Sequence, residues 1–220
     1  MMRWNGWGNP QTNFDLPSGG LSFIEQQIGT GNILGDASLE FALNQIPPSR
    51  ITLKHPLINI TNQQRLIHAR GQSLPDWLAK KSGLLERYPD AVSLPEHSDD
   101  VQTILALAAA HDWMVIPFGG GTSVVGHINT PQSTRPVIVL SLARLNQLLS
   151  LDEVSHTATF GAGVAGPDLE AQLKAHGYTL GHFPQSFEYS TLGGWVATRS
   201  SGQQSLRYGR IEQLFAGGKV

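Results

Sequence analysis

The stretch Ile116-Pro-Phe-Gly-Gly-Gly-Thr-Ser-Val124 constrains this chain more than any other, because three consecutive glycines follow closely on the apolar run Trp113-Met-Val-Ile116. An apolar run of that kind reads as a buried strand. Glycines at its carboxyl end can take positive-φ conformations that turn successive amide hydrogens toward one point, making a nest for an anion. Thr122 and Ser123 add hydroxyl donors, and neutral donors suffice where a bound pyrophosphate stays partly solvated. The competing reading is a plain flexible turn, which is disfavoured directly after so apolar a strand. There are 24 glycines among 220 residues, most of them after position 116, so tight turning and close backbone approach are concentrated in that part of the chain.

Two common phosphate loops do not fit. A Walker loop requires Gly-Lys-Ser/Thr, and no lysine occurs between Lys81 and Lys174. A dinucleotide fingerprint requires a third glycine opening a crossover helix and an acid about twenty positions on; Gly119-x-Gly121 is followed by Val124, and no acid lies near Leu140.

A second polar segment runs Pro184-Gln-Ser-Phe-Glu-Tyr-Ser-Thr-Leu-Gly-Gly-Trp-Val-Ala-Thr-Arg-Ser-Ser-Gly202. It puts hydroxyls and glycines at the start of a helix expected over Thr191 to Ser201, where unpaired amides can receive a polar group. Gly193 and Gly194 each cost that helix about 1 kcal/mol relative to Ala, which implies a close neighbour at its first turn. A capped surface helix with a salt-bridged Arg199 is the alternative. The two segments side by side suit a dinucleotide.

The rest of the pattern organises the chain around these segments. Residues 1–86 read as an irregular arm with short helices, broken by Pro17, Pro47, Pro48, Pro56 and Pro75; Leu21 to Ile28 and Leu39 to Ile46 have helical apolar spacing, and Ser38 suits the second as a cap. Trp4 and Trp7 are expected to anchor the arm by packing. From Tyr88 onward, Ala91 to Leu94 reads as an extended segment, Ser98-Asp-Asp100 as a capped helix start, and that helix should stop near His111. With Trp113 to Ile116 this makes a strand, helix, strand unit carrying the glycine loop at its end. Pro136 to Ser141 and Thr157 to Phe160 read as strands, Arg144 to Leu149 as a short amphipathic piece. A helix then runs from a cap at Gly166, through Pro167 in its first turn, to a stop before Gly177.

Composition excludes several classes. Fifteen Lys plus Arg against seventeen Asp plus Glu leave a net charge of −2, so nucleic acid is not an expected partner. The absence of cysteine removes disulfides, thiolate zinc sites and cysteine nucleophiles. The eight histidines show no His-x-x-x-His spacing, so no metal site is expected, although His127 and His182 lie close to the glycine-rich segments. No run approaches the roughly 20 apolar residues of a membrane span, and the start Met1-Met-Arg-Trp-Asn-Gly-Trp-Gly lacks the apolar core of a secretory signal; a cytoplasmic address is expected.

Pro89-Asp-Ala-Val, Pro117-Phe-Gly-Gly-Gly-Thr-Ser and Ser190-Thr-Leu-Gly-Gly-Trp-Val-Ala-Thr-Arg together resemble the FAD-linked oxidases of the vanillyl-alcohol oxidase and p-cresol methylhydroxylase fold. Arg3-Trp-Asn-Gly-Trp-Gly, Gly181-His and Ser186-Phe-Glu-Tyr-Ser-Thr are similar to the alkyldihydroxyacetonephosphate synthase branch of that family, and the resemblance spans almost the whole chain. It implies an α+β fold: a PCMH-type FAD-binding domain over 87–220, incomplete at its carboxyl end. A small βαβ subdomain and part of a second α+β subdomain would follow the 1–86 arm.

The resemblance also implies roles. Pro117, Phe118, Gly119, Gly120, Gly121, Thr122 and Ser123 would cradle the FAD pyrophosphate. Gln185, Ser186, Phe187, Glu188, Tyr189, Ser190 and Thr191, with Thr198, Arg199, Ser200 and Ser201, would contact the rest of the flavin. Thr122 stands where some members carry a flavin-linked histidine, so binding should be non-covalent, and Gln185 stands where the synthase branch has an acid. No catalytic residue is assigned, because the branch's catalytic histidine and tyrosine and its substrate cap fall beyond Val220; the chain is expected to be an amino-terminal fragment. The implied function is the FAD-binding portion of a flavin-dependent oxidoreductase or alkylglycerone-phosphate synthase-like enzyme acting on a small molecule, with a homodimer allowed for the complete protein. A D-2-hydroxyacid dehydrogenase or oxidase is the alternative enzyme, and a catalytically silent flavin-binding or interaction module the alternative of another class.

Overall fold

The computed structural model describes residues 3–12, 14–32 and 34–219; Met1, Met2 and Val220, which figure in the readings above, lie outside them. Helices α1 (Gly20–Ile28) and α2 (Leu39–Asn44) occupy the two segments with helical spacing. Ser38 caps α2 as expected, its Oγ accepting from the Phe41 amide at 3.1 Å. That helix ends short of Ile46, because Pro47 biases its predecessor away from helical backbone. The apolar face of α1 is exposed, Phe23 at 64% and Ile28 at 81%.

Two further helices, α3 (Asn62–Ile67) and α4 (Leu74–Ser82), lie where the sequence reads as an irregular arm broken by Pro56 and Pro75. Helix α4 is started by a capping box: the Asp76 amide donates to Ser73 Oγ at 3.3 Å and the Ser73 amide to Asp76 Oδ2 at 3.1 Å.

Strands β1 (Ala91–Ser93), β2 (Met114–Phe118) and β3 (Val137–Ser141) form a parallel sheet in the order β1-β3-β2. The expected strand, helix, strand unit is therefore β1, α5 (Ser98–Ala110) and β2, with β3 inserted between its strands. Every residue of β3 is buried, as a central parallel strand covered on both faces requires. Ile104 and Ala108 of α5 pack with Ile138, Leu140 and Trp113 on one face, while Val92, Ile116, Phe118, Val137 and Val139 cluster on the other. Pro117 is accommodated because β2 is an edge strand, which extends that strand to Phe118.

Three local readings are corrected. In helix α5 the cap position belongs to His97 and Ser98 is already the first helical residue, so its hydroxyl is not placed to cap; the Asp100 carboxylate reaches back instead and accepts the Glu96 and His97 amides at 2.9 and 3.1 Å. Most of the piece expected over 144–149 leads into a strand, β4 (Leu148–Asp152), paired antiparallel with β5 (Thr157–Phe160). In α6 (Gly166–Lys174) the cap position belongs to Ala165, and Gly177 lies past the end at φ 81°. Helices α7 (Leu192–Thr198), α8 (Ser205–Tyr208) and α9 (Ile211–Leu214) complete the chain, and Val164, Leu169, Leu173, Trp195 and Ile211 form the core between α6, α7 and α9.

Candidate functional site

The glycine loop leaves β2 at Phe118, whose buried ring meets the His68 ring edge-on at 4.7 Å. None of the amides of Gly119, Gly120, Gly121, Thr122, Ser123 and Val124 donates to a protein acceptor among the described residues. A run of undonated backbone donors, on residues that are accessible except for the buried Gly121, is the arrangement an anion nest needs. Of the three glycines only Gly121 has positive φ, at 69°, where a Cβ would also strike the Phe118 ring at 2.6 Å. The expectation that all three glycines supply left-handed backbone is thus corrected.

Gly119 and Gly120 serve a different need, which is contact with the second segment. A Cβ on Gly120 would enter the Tyr189 carbonyl, and one on Gly119 would collide with Thr191 Oγ1. The two segments singled out in the sequence therefore touch, backbone against backbone. Thr191 holds the cap position of α7 without capping it, and its buried Oγ1 has no partner among the described residues. Ser190 Oγ accepts from Trp195 Nε1 at 2.7 Å, which holds the buried tryptophan under the segment.

Around this contact the remaining residues divide. Phe187 packs into the α6–α7–α9 core, and Tyr189 meets Trp7 of the arm edge-on at 5.2 Å, so Trp7 anchors the arm to the second segment while Trp4 packs against the cluster of Ala42, Leu66 and Tyr88. Gln185 and Glu188 are exposed and, with Trp7, Phe183, Pro184, Phe187 and Gln203, line an open pocket of about 290 Å³. Helix α7 stops at Thr198, short of the expected Ser201, because Arg199 adopts left-handed backbone at φ 53°. Thr198 Oγ1 donates back to the Gly194 carbonyl at 2.7 Å, and Arg199 pairs at the surface with Glu212 at 3.3 Å. The close neighbour at the first turn of α7 is the chain itself: a Cβ on Gly193 would meet Ala162 at 2.8 Å, whereas Gly194 is less confined.

His182 is the residue that spacing underrated. It is buried against Trp195, its Nε2 lies 3.0 Å from Ser200 Oγ, and desolvation lowers its pKa, favouring the neutral ring. Its position between two glycine-rich segments was the available signal. His127 stands 3.1 Å from Ser123 Oγ through Nδ1, at the exposed edge of the loop. No group of three His, Cys, Asp or Glu able to hold a metal occurs among the described residues, and none of their helices is long and apolar enough to cross a membrane.

Comparison with known proteins bears on the same segments. A family model described as FAD binding domain matches residues 89–220. The alkyldihydroxyacetonephosphate synthase of Trypanosoma brucei brucei is 35% identical, the match covering 100% of this chain and 41% of that protein. Glycolate oxidase subunit GlcD of Bacillus subtilis (strain 168) is 34% identical over 60% of this chain and 27% of its own length. The solved structure of alkyldihydroxyacetonephosphate synthase in P1 superposes with a TM-score of 0.83 at 31% identity, covering 96% of this chain and 46% of that one. The chain thus spans less than half the length of the synthases it matches.

Proposed function

The chain belongs to the FAD binding domain family, and on that footing we propose that it is the flavin-binding part of an alkylglycerone-phosphate synthase-like flavoenzyme. The observation that carries this reading is the set of undonated amides from Gly119 to Val124 in a loop pressed against Tyr189 to Thr191. The donor set fits a diphosphate. Backbone N–H groups with Thr122 and Ser123 hydroxyls would hold its oxygens, and the buried Thr191 Oγ1 supplies one more polar atom at the junction.

In this reading Pro117 and Phe118 bring the loop out of β2, and Gly119 to Ser123 bind the diphosphate. Residues 185–191 and 198–201 lie along the rest of the flavin. Arg199 would first leave Glu212, an exposed pair worth about 0–1 kcal/mol. With Thr122 in the loop and no cysteine in the chain, the flavin is held without a covalent bond. Bound flavin would supply an electron-accepting ring, and the residues of the two segments would bind and orient it.

Titration with FAD, followed by flavin fluorescence and visible absorbance, tests the reading. Saturable binding with a perturbed flavin spectrum is expected; a colourless protein that leaves added FAD unperturbed overturns it and favours the silent module. A D-2-hydroxyacid dehydrogenase or oxidase is the second enzymatic reading, weaker because the match to a relative such as GlcD covers 60% of the chain whereas the synthase match covers all of it, arm included. A small-molecule substrate and a homodimer belong to this proposal on resemblance alone, and a cytoplasmic address on the sequence reading alone.

A further inference from the structure

We propose that residues 69–80, which precede the segment matched by the family model, form a clamp that positions the diphosphate loop, with Gly71 and Asn129 as its positioning residues. This inference deepens the FAD-binding reading and depends on it.

The loop is tied to this stretch of the arm at successive points. The Gln72 amide donates to the Ser123 carbonyl at 2.6 Å, and the Thr130 amide donates to the Ala69 carbonyl at 3.1 Å. Between them the Gly71 amide donates to Asn129 Oδ1 at 2.9 Å, and Asn129 Nδ2 donates to Asp76 Oδ1 at 2.7 Å. The clamp is itself braced from α4, since Lys80 Nζ donates to the Gly71 carbonyl at 2.7 Å and Arg70 pairs with Asp76 at 3.3 Å. Asp76 and Lys80 are 1% and 3% exposed, so the centre of this polar network is withdrawn from water, with Arg70 and Asn129 at its partly buried edge. Buried networks with every member bonded are the rigid ones.

The clamp also aims the loop. In a trans peptide the C=O and the following N–H point in opposite directions. Drawing the Ser123 carbonyl into the arm therefore turns the Val124 amide away from it, toward the undonated side of the loop. A Cβ on Gly71 would collide with that same Ser123 carbonyl, so only glycine lets the arm come this close. Donors fixed before the ligand arrives bind it without a further ordering cost.

The test compares Gly71→Ala and Asn129→Ala with Ile104→Ala, a core truncation between α5 and the sheet that touches neither loop nor clamp. Affinities for FAD and for ADP, which carries the diphosphate without the flavin ring, are measured alongside thermal stability. Both clamp variants should weaken FAD and ADP by the same factor, about tenfold, while Ile104→Ala, although destabilised, should change them less than twofold. Clamp variants that bind as tightly as the parent, or an equal loss in Ile104→Ala, overturn the proposal. Should either clamp variant fail to fold, hydrogen exchange of the parent decides. FAD should slow exchange at Gly71 and Gln72 together with the loop, and slowing confined to the loop overturns the clamp. A parent protein that binds no FAD defeats the functional reading and this inference with it, whereas a parent that binds with indifferent clamp variants defeats the clamp alone.

Discussion

The Cα of Gly120 lies so near the carbonyl oxygen of Tyr189 that a single methyl group would enter it. Replacing Gly120 by Ala should therefore force the two segments apart, costing about 1–3 kcal/mol as an overpacking change and weakening FAD binding with it. Gly121→Ala adds the strain of φ 69° in a residue with a Cβ, about 1–2 kcal/mol. Urea unfolding and FAD titration of each variant check both effects; parent-like values for Gly120→Ala would refute the close contact.

Lys80 makes stability pH-dependent on the alkaline side. Burial pulls its ammonium down to about 8 against the attraction of Asp76, whereas an unfolded lysine titrates near 10.4. The unfolded chain then binds more protons between these values, so unfolding free energy should rise with pH from about 8 to 10. Below that window the full penalty of the buried charge applies, about 3 kcal/mol. Lys80→Met should flatten this rise in a series of denaturant melts, and an unchanged slope would count against a titrating Lys80.

Asp90 predicts the acid limb. Burial would raise its pKa, but bonds from the Arg50 side chain and from the Val137 and Arg50 amides outweigh burial and hold it below the ordinary carboxylate range. Asp76 is depressed in the same way, its burial outweighed by Ser73, Asn129 and Arg70. Their contribution is present above about pH 4 and lost as pH falls through the depressed values. Asp90→Ala leaves the buried Val137 amide without this acceptor and should cost about 2 kcal/mol, read as a lowered melting temperature at pH 7 and a shallower acid transition.

Helix α1 should be energetically silent in this fold. Leu21, Phe23 and Ile28 are each more than half exposed, and no residue of the helix is buried. Phe23→Ala is expected to change unfolding free energy by less than about 0.5 kcal/mol, while Leu169→Ala in the α6–α7–α9 core should cost about 2–5 kcal/mol. Parallel denaturant curves of the two variants make the comparison, and a large cost at Phe23 would show that α1 packs in solution.

Much of the local structure was legible because its causes are local. Ser38 before an apolar period, Pro167 at a helix start and Gly177 after its end act within a turn or two of themselves, and each does so here. Helix α4 carried the same kind of signal in Ser73 and Asp76, with Leu74, Trp77 and Leu78 at helical spacing, but Pro75 reads as a break unless it is taken as a first-turn residue. Strand β4 was less accessible, since half-exposed Leu148 to Asp152 acquires extended structure only from its pairing with Thr157 to Phe160.

The candidate site divides in the same way. Residue order alone marks Gly119 to Ser123 as donor-rich and able to turn, and marks Ser190 to Gly194 as the beginning of a helix, because glycine, hydroxyl and capping chemistry belong to the residues themselves. Which glycine turns and which admits a neighbour, that Tyr189 is that neighbour, and that Gly71 braces Ser123 from behind depend on atoms brought together from distant parts of the chain. Such contacts leave no period or spacing in the sequence, since they exist only once burial of the core has fixed where each backbone passes.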